Sequence, residues 1–124
     1  MKYILVALKD ELPDHDLDSS EYQVWYTGVG KINATMWATM ACIQNDCEVV
    51  INYGTAGKAY DVNKGELIQC TTFLQGDMDC GTLTGGPGVT YGDAEPSVLQ
   101  FGTEGKICRT QDQFVTDLSV LDMF

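Results

Sequence analysis

Residues 22 to 53 constrain the fold more than any other stretch. YQVWY, residues 22 to 26, is a short apolar and aromatic run of strand type, closed by Thr27-Gly28-Val29-Gly30. From Gly30 to about Asn45 the period changes. Ile32, Met36, Met40 and Ile43 fall at spacings of four, four and three, which predicts one apolar helical face, widened by Trp37 and Ala41. Residues 47 to 53 then return to strand character. Strand, helix, strand is the βαβ unit, which builds parallel or mixed sheets. The run KYILVAL, residues 2 to 8, adds a strand of the kind buried on both faces.

Around this unit the chain alternates between punctuation and short strands. Lys9-Asp10-Glu11-Leu12-Pro13 ends the first strand, because proline cannot continue regular structure. The acidic run 14 to 18 reads as a solvated loop. ELIQCTTFLQ, residues 66 to 75, predicts a long strand introduced by Lys64-Gly65. Residues 76 to 96 are rich in glycine, hold two of the 3 prolines and predict a loop with at most one short strand. Further strands are expected near 98 to 101 and 105 to 110. No internal repeat or low-complexity linker divides the 124 residues, so residues 1–124 are expected to form a single domain with its own core.

Charge narrows the partners. Seven Lys plus Arg against 18 Asp plus Glu give a formal net charge of −11, and such a surface repels phosphate backbones. Neither nucleic acid nor an anionic membrane is expected as a partner. Arg109 is the only arginine, which leaves little to clamp free phosphate. The 5 cysteines (Cys42, Cys47, Cys70, Cys80, Cys108) contain no C-x-x-C, and His15 stands alone, so no metal site and no cofactor is expected. His15 reads as an exposed loop residue. Neither an export signal nor a membrane span is read, and reduced cysteines in the cytoplasm are the default.

One loop raises a chemical question. In VVINYGTAG, residues 49 to 57, an apolar strand runs into Gly54-Thr55-Ala56-Gly57, where the backbone is almost bare. Such a turn is plain punctuation, or it is the floor of a ligand site.

Several motifs stand in one order along the chain: ILVALKDEL at 4 to 12, GVGKINA at 28 to 34, INYGTAG at 51 to 57, KGELI at 64 to 68, GDMD at 76 to 79 and TQDQFV at 110 to 115. Together they resemble the purine nucleoside phosphorylase and nucleosidase superfamily, most closely the methylthioadenosine/S-adenosylhomocysteine nucleosidases. The resemblance implies an α/β fold, a three-layer sandwich around a mixed, partly barrel-like sheet, assembled as a homo-oligomer (dimer or larger). It also implies a small-molecule partner, a purine nucleoside or base.

By the same resemblance, Glu11 matches the glutamate that activates the attacking water. A carboxylate at a strand end is a reasonable general base when partly desolvated; the plain alternative is one more surface acid. Val29 matches an apolar pocket wall, and Thr55, Ala56 and Gly57 would lie under sugar and base. Phe114 matches the aromatic that stacks on the purine, Val115 the residue whose backbone meets the base edge, and Asp112 the residue fixing that loop. Cys80 and Leu83 match positions that reach into a neighbouring subunit's pocket, and Met123 would pack on the ribose. Phosphorylases of the superfamily carry an arginine where this chain has Asn52, so water is favoured over phosphate as the acceptor.

The match departs at the C-terminal end. The family's ribose-gripping glutamate aligns with Phe124, and the helix, strand and leaving-group aspartate that would come next have no counterpart in these 124 residues. The pattern is thus that of a relative shortened at its C-terminus, with an apolar sheet face left for a partner subunit to cover. Three readings follow: a nucleosidase using Glu11, a purine-binding relative without turnover, and a truncated gene product.

Overall fold

The computed structural model describes residues 1–58, 63–93 and 96–117. The chain is mixed α/β and forms two compact units, Met1–Ala56 and Gly57–Phe124. Neither of its two three-stranded sheets closes into a barrel among the described residues. No helix among them is long and apolar enough to cross a membrane.

The first unit holds β1 (Lys2–Val6), β2 (Tyr22–Tyr26), α1 (Lys31–Cys42) and β3 (Val49–Asn52). The sheet order is β2-β1-β3 and both pairings are parallel. The apolar run of β1 therefore takes the central place, where both faces are covered: Tyr3, Ile4, Leu5 and Val6 are all buried. Strand β2 passes through α1 to β3, which pairs on the other side of β1.

Helix α1 forms where its period predicted, yet it turns a different face inward. Ile32 (83 % exposed), Met36, Met40 and Ile43 (71 % exposed) face outward, while Ala41 is fully buried. The aromatic side chains decide this. Trp37 meets Trp25 of β2 at 5.6 Å between ring centroids, and Trp25 meets Tyr3 of β1 at 4.8 Å. A Trp–Trp–Tyr stack offers more contact than a row of methionines, and tilted ring pairs add attraction beyond their area. The small Ala41 lets the helix sit close one turn further on. Tyr3 Oη also donates to Asp46 Oδ1 at 2.6 Å, tying β1 to the chain after α1. That hydrogen bond, with desolvation second, pushes the Tyr3 phenol up to about 12.

The second unit holds β4 (Cys70–Gln75), β5 (Leu99–Gln100) and β6 (Lys106–Thr110) in the order β5-β4-β6. Strands β4 and β5 are antiparallel, β4 and β6 parallel. Strand β4 begins four residues later than the sequence suggests. Asn63 N–H donates to Glu66 Oε2 (2.9 Å), Glu66 N–H donates to Asn63 O (3.0 Å), and Gly65 has φ 83°. This local turn competes successfully for the backbone groups that a strand would use. The glycine-rich loop contains a 3₁₀ turn (Gly81–Leu83) and one isolated bridge, Asp79 with Pro87.

Candidate functional site

Three loops leave the first sheet at the same edge, because β1, β2 and β3 are parallel and all end there. After β1 the chain turns through a 3₁₀ turn, Lys9–Glu11. After β2 comes residues 27–30, where Gly28 (φ 80°) and Gly30 (φ 104°) adopt conformations that a side chain disfavours. A Cβ on Gly28 would also lie 2.9 Å from Asn33 Nδ2, which donates to Val29 O. The two glycines of the GVG motif are thus explained by the turn that starts α1. After β3 comes Tyr53-Gly54-Thr55-Ala56.

Glu11 sits between the β1 and β3 ends. Its Oε1 accepts the Leu8 N–H at 3.0 Å, and the Glu11 N–H donates back to Leu8 O at 3.0 Å. This reciprocal pair fixes the carboxylate on its own turn. The other oxygen points to the glycine loop: a Cβ built on Gly54 would lie 3.2 Å from Glu11 Oε2. The bareness of Gly54 therefore has a use inside this unit, for it is Glu11 that approaches so closely. In an open parallel sheet of order 2-1-3, the crevice beyond the carboxyl ends of β1 and β3 is the place where connections diverge and ligands bind. Glu11 is half-buried there, and Tyr26 Oη braces the same loop by donating to Leu12 O.

Val29 (56 % exposed), Thr55 and Ala56 lie open to solvent at that edge. Asn52 is the last residue of β3, also exposed. His15 is exposed, as its loop position suggests.

In the second unit Gly57 is exposed and its surroundings are open. The parallel pairing of β4 and β6 brings the GDMD and TQDQFV motifs side by side at their carboxyl ends. Asp77 Oδ2 accepts the Asp112 N–H at 3.0 Å, so Asp77 ties the two loops together. Arg109 crosses Gly76: its Nη2 donates to Gly76 O (2.8 Å) and its Nε to Gln111 Oε1 (3.0 Å). A Cβ on Gly76 would fall 1.9 Å from Arg109 Nε, which is why glycine opens the GDMD motif. The one arginine of the chain thus braces these loops. Phe114 (92 % exposed) and Val115 project from the loop that follows. Leu83 is exposed in its 3₁₀ turn, and Cys80 Sγ accepts the Tyr91 N–H at 3.4 Å. Met123 lies outside the described residues.

The structure thus brings Glu11 against Gly54 in one unit, and Asp112 beside GDMD in the other. Sequence reading missed the clearance at Gly54 and the bracing by Asp77. The signals for both were present: glycine opening GTAG, and an acid directly after Gly76. No group of three or more His, Cys, Asp or Glu side chains placed to hold a metal ion occurs among the described residues. No protein-family model matches the chain, and no curated protein or solved structure matches it.

Proposed function

We propose that this chain is a purine nucleosidase-like protein that hydrolyses the N-glycosidic bond of an adenine nucleoside or thionucleoside, with water activated by Glu11. The observation that carries the reading is the Glu11 carboxylate at the carboxyl end of the central strand, held by Leu8 N–H and facing the side-chain-free Gly54. A base in that crevice takes a proton from water while the oxygen attacks the anomeric carbon and the bond to the purine breaks. Gly54, Thr55 and Ala56 offer backbone groups and a hydroxyl to the ligand, and Val29 an apolar contact. Asn52 in place of an arginine, together with a net charge of −11, supports water over phosphate as the acceptor. By the resemblance, Phe114, Val115 and Asp112 match the family's base-binding residues; within the second unit itself, Asp77 sets the position of Asp112.

The proposal includes the three-layer sandwich, the homo-oligomeric assembly and the cytoplasmic setting that go with the resemblance. Without a leaving-group acid assigned among these residues, turnover is expected to be slower by about 10²- to 10⁴-fold than with one.

The test is incubation with methylthioadenosine followed by chromatography for free adenine, with calorimetric titration in parallel. Adenine release that disappears in Glu11→Gln supports the nucleosidase. Binding with the nucleoside intact replaces it by the purine-binding reading. Neither binding nor release removes both.

A further inference from the structure

Outside the proposed nucleoside site, the pairing of β4 with β6 sets two cysteines on neighbouring strands. Strand register sets this up. Cys70 pairs with Lys106 and Phe73 with Cys108, so β4 spends three residues where β6 spends two. The extra residue is Thr71, at the bulge between Cys70 and Thr72. The bulge reverses the alternation and returns Cys70 to the face that carries Cys108. Diagonal neighbours on a regular ladder stand about 7–8 Å apart, too far for ordinary disulfide geometry. Here the strand starts are pressed together. Gly105 N–H donates to Thr71 Oγ1 (3.1 Å), Lys106 N–H donates to Gln69 O (2.8 Å), and a Cβ on Gly105 would lie 2.9 Å from Gln69 O. In this arrangement Cys70 and Cys108 are neighbours on one face of adjacent strands. Both are reduced, and Cys108 is exposed.

We propose that Cys70 and Cys108 form a redox-modification site, closed to an intramolecular disulfide by a small-molecule disulfide such as oxidised glutathione. In the first exchange the Cys108 thiolate attacks one glutathione sulfur. A Cys108–glutathione bond forms, the glutathione S–S bond breaks, and one glutathione thiolate leaves. The Cys70 thiolate then attacks Cys108 Sγ, the Cys70–Cys108 bond forms, and the second glutathione leaves. The two cysteines lose two protons and two electrons, and oxidised glutathione is reduced to two thiols. Partial desolvation, followed by the neighbouring Cys70, pushes the Cys108 thiol up from its ordinary value. The first exchange therefore gains rate toward alkaline pH, about tenfold per unit below the Cys108 pKa. Closure joins the first residue of β4 to β6, where only a strand end has to move.

The experiment treats the folded 124-residue chain with oxidised glutathione at alkaline pH, blocks remaining thiols with iodoacetamide, and maps tryptic peptides without reduction. Trypsin isolates Cys108 in Ile107-Cys108-Arg109, while residues 65–106 carry Cys70 and Cys80. The expected result is a monomeric chain lighter by about 2 Da with the 107–109 peptide linked to 65–106. That link persists in Cys80→Ser, is lost in Cys70→Ser, and raises the melting temperature until dithiothreitol is added. Cys108 recovered alkylated or as a lasting glutathione adduct, a link that survives Cys70→Ser, or a link between chains would overturn the proposal.

Discussion

A methyl group on Gly54 would stand 3.2 Å from Glu11 Oε2, closer than ordinary van der Waals contact. The carboxylate would have to move while nothing in the core changed. Gly54→Ala is therefore expected to cut adenine release at least tenfold, with a melting temperature close to the parent. Equal loss of stability and activity would argue against Glu11 as the base. Gly76→Ala makes the opposite contrast. Its Cβ collides with Arg109 and Gln111, so it is expected to destabilise by about 1–3 kcal/mol in denaturant unfolding. Tyr3 supplies a pH signature. Its folded-state pKa is raised to about 12 from an ordinary 10.0, so its contribution to stability is complete below pH 10 and is lost as pH rises from 10 through 12. Tyr3→Phe should flatten that part of the stability profile, measured by urea midpoints across the range.

At the scale of elements, α1 separates what a pattern can say from what packing decides. Its start followed from Gly30 and its existence from the period, while it ends at Cys42, short of the expected Asn45. Its buried face did not, because Ile32, Met36, Met40 and Ile43 form as regular a row as the row that packs. Trp37 belongs to the packed face through Trp25, a partner that lies on another strand and is invisible to local spacing. Trp37→Ala is accordingly expected to cost about 2–3 kcal/mol. Ala41→Leu should cost about 1–3 kcal/mol by overfilling the contact. If both are silent while Met36→Ala and Met40→Ala are severe, the face has been assigned wrongly. Strand β4 teaches the same lesson: its expected first residue, Glu66, is held in a turn with Asn63 instead, and the strand begins only at Cys70.

Over the whole molecule, a net charge of −11 works against self-association, and the outward side of α1 is a place where that repulsion is weak. Lys31 is the only charged residue in the helix. The proposed homo-oligomer predicts a dimer or larger species in sedimentation at physiological salt, shifted to monomer by Met36→Glu with Met40→Glu. A monomer in the parent chain would remove assembly from the proposal. The sequence by itself determined that β1 is doubly buried, that strands and one helix alternate in the first half, and that glycines punctuate the strand ends. These are consequences of local pattern: apolar continuity, period and backbone freedom act over a few residues. Only the tertiary structure decided which face of α1 packs, that Glu11 fills the space left by Gly54, that Asp77 braces Asp112, and that Cys70 and Cys108 share one face of neighbouring strands. Each of these joins residues far apart in the chain, and their meeting depends on strand order, register and a one-residue bulge, which no local pattern encodes.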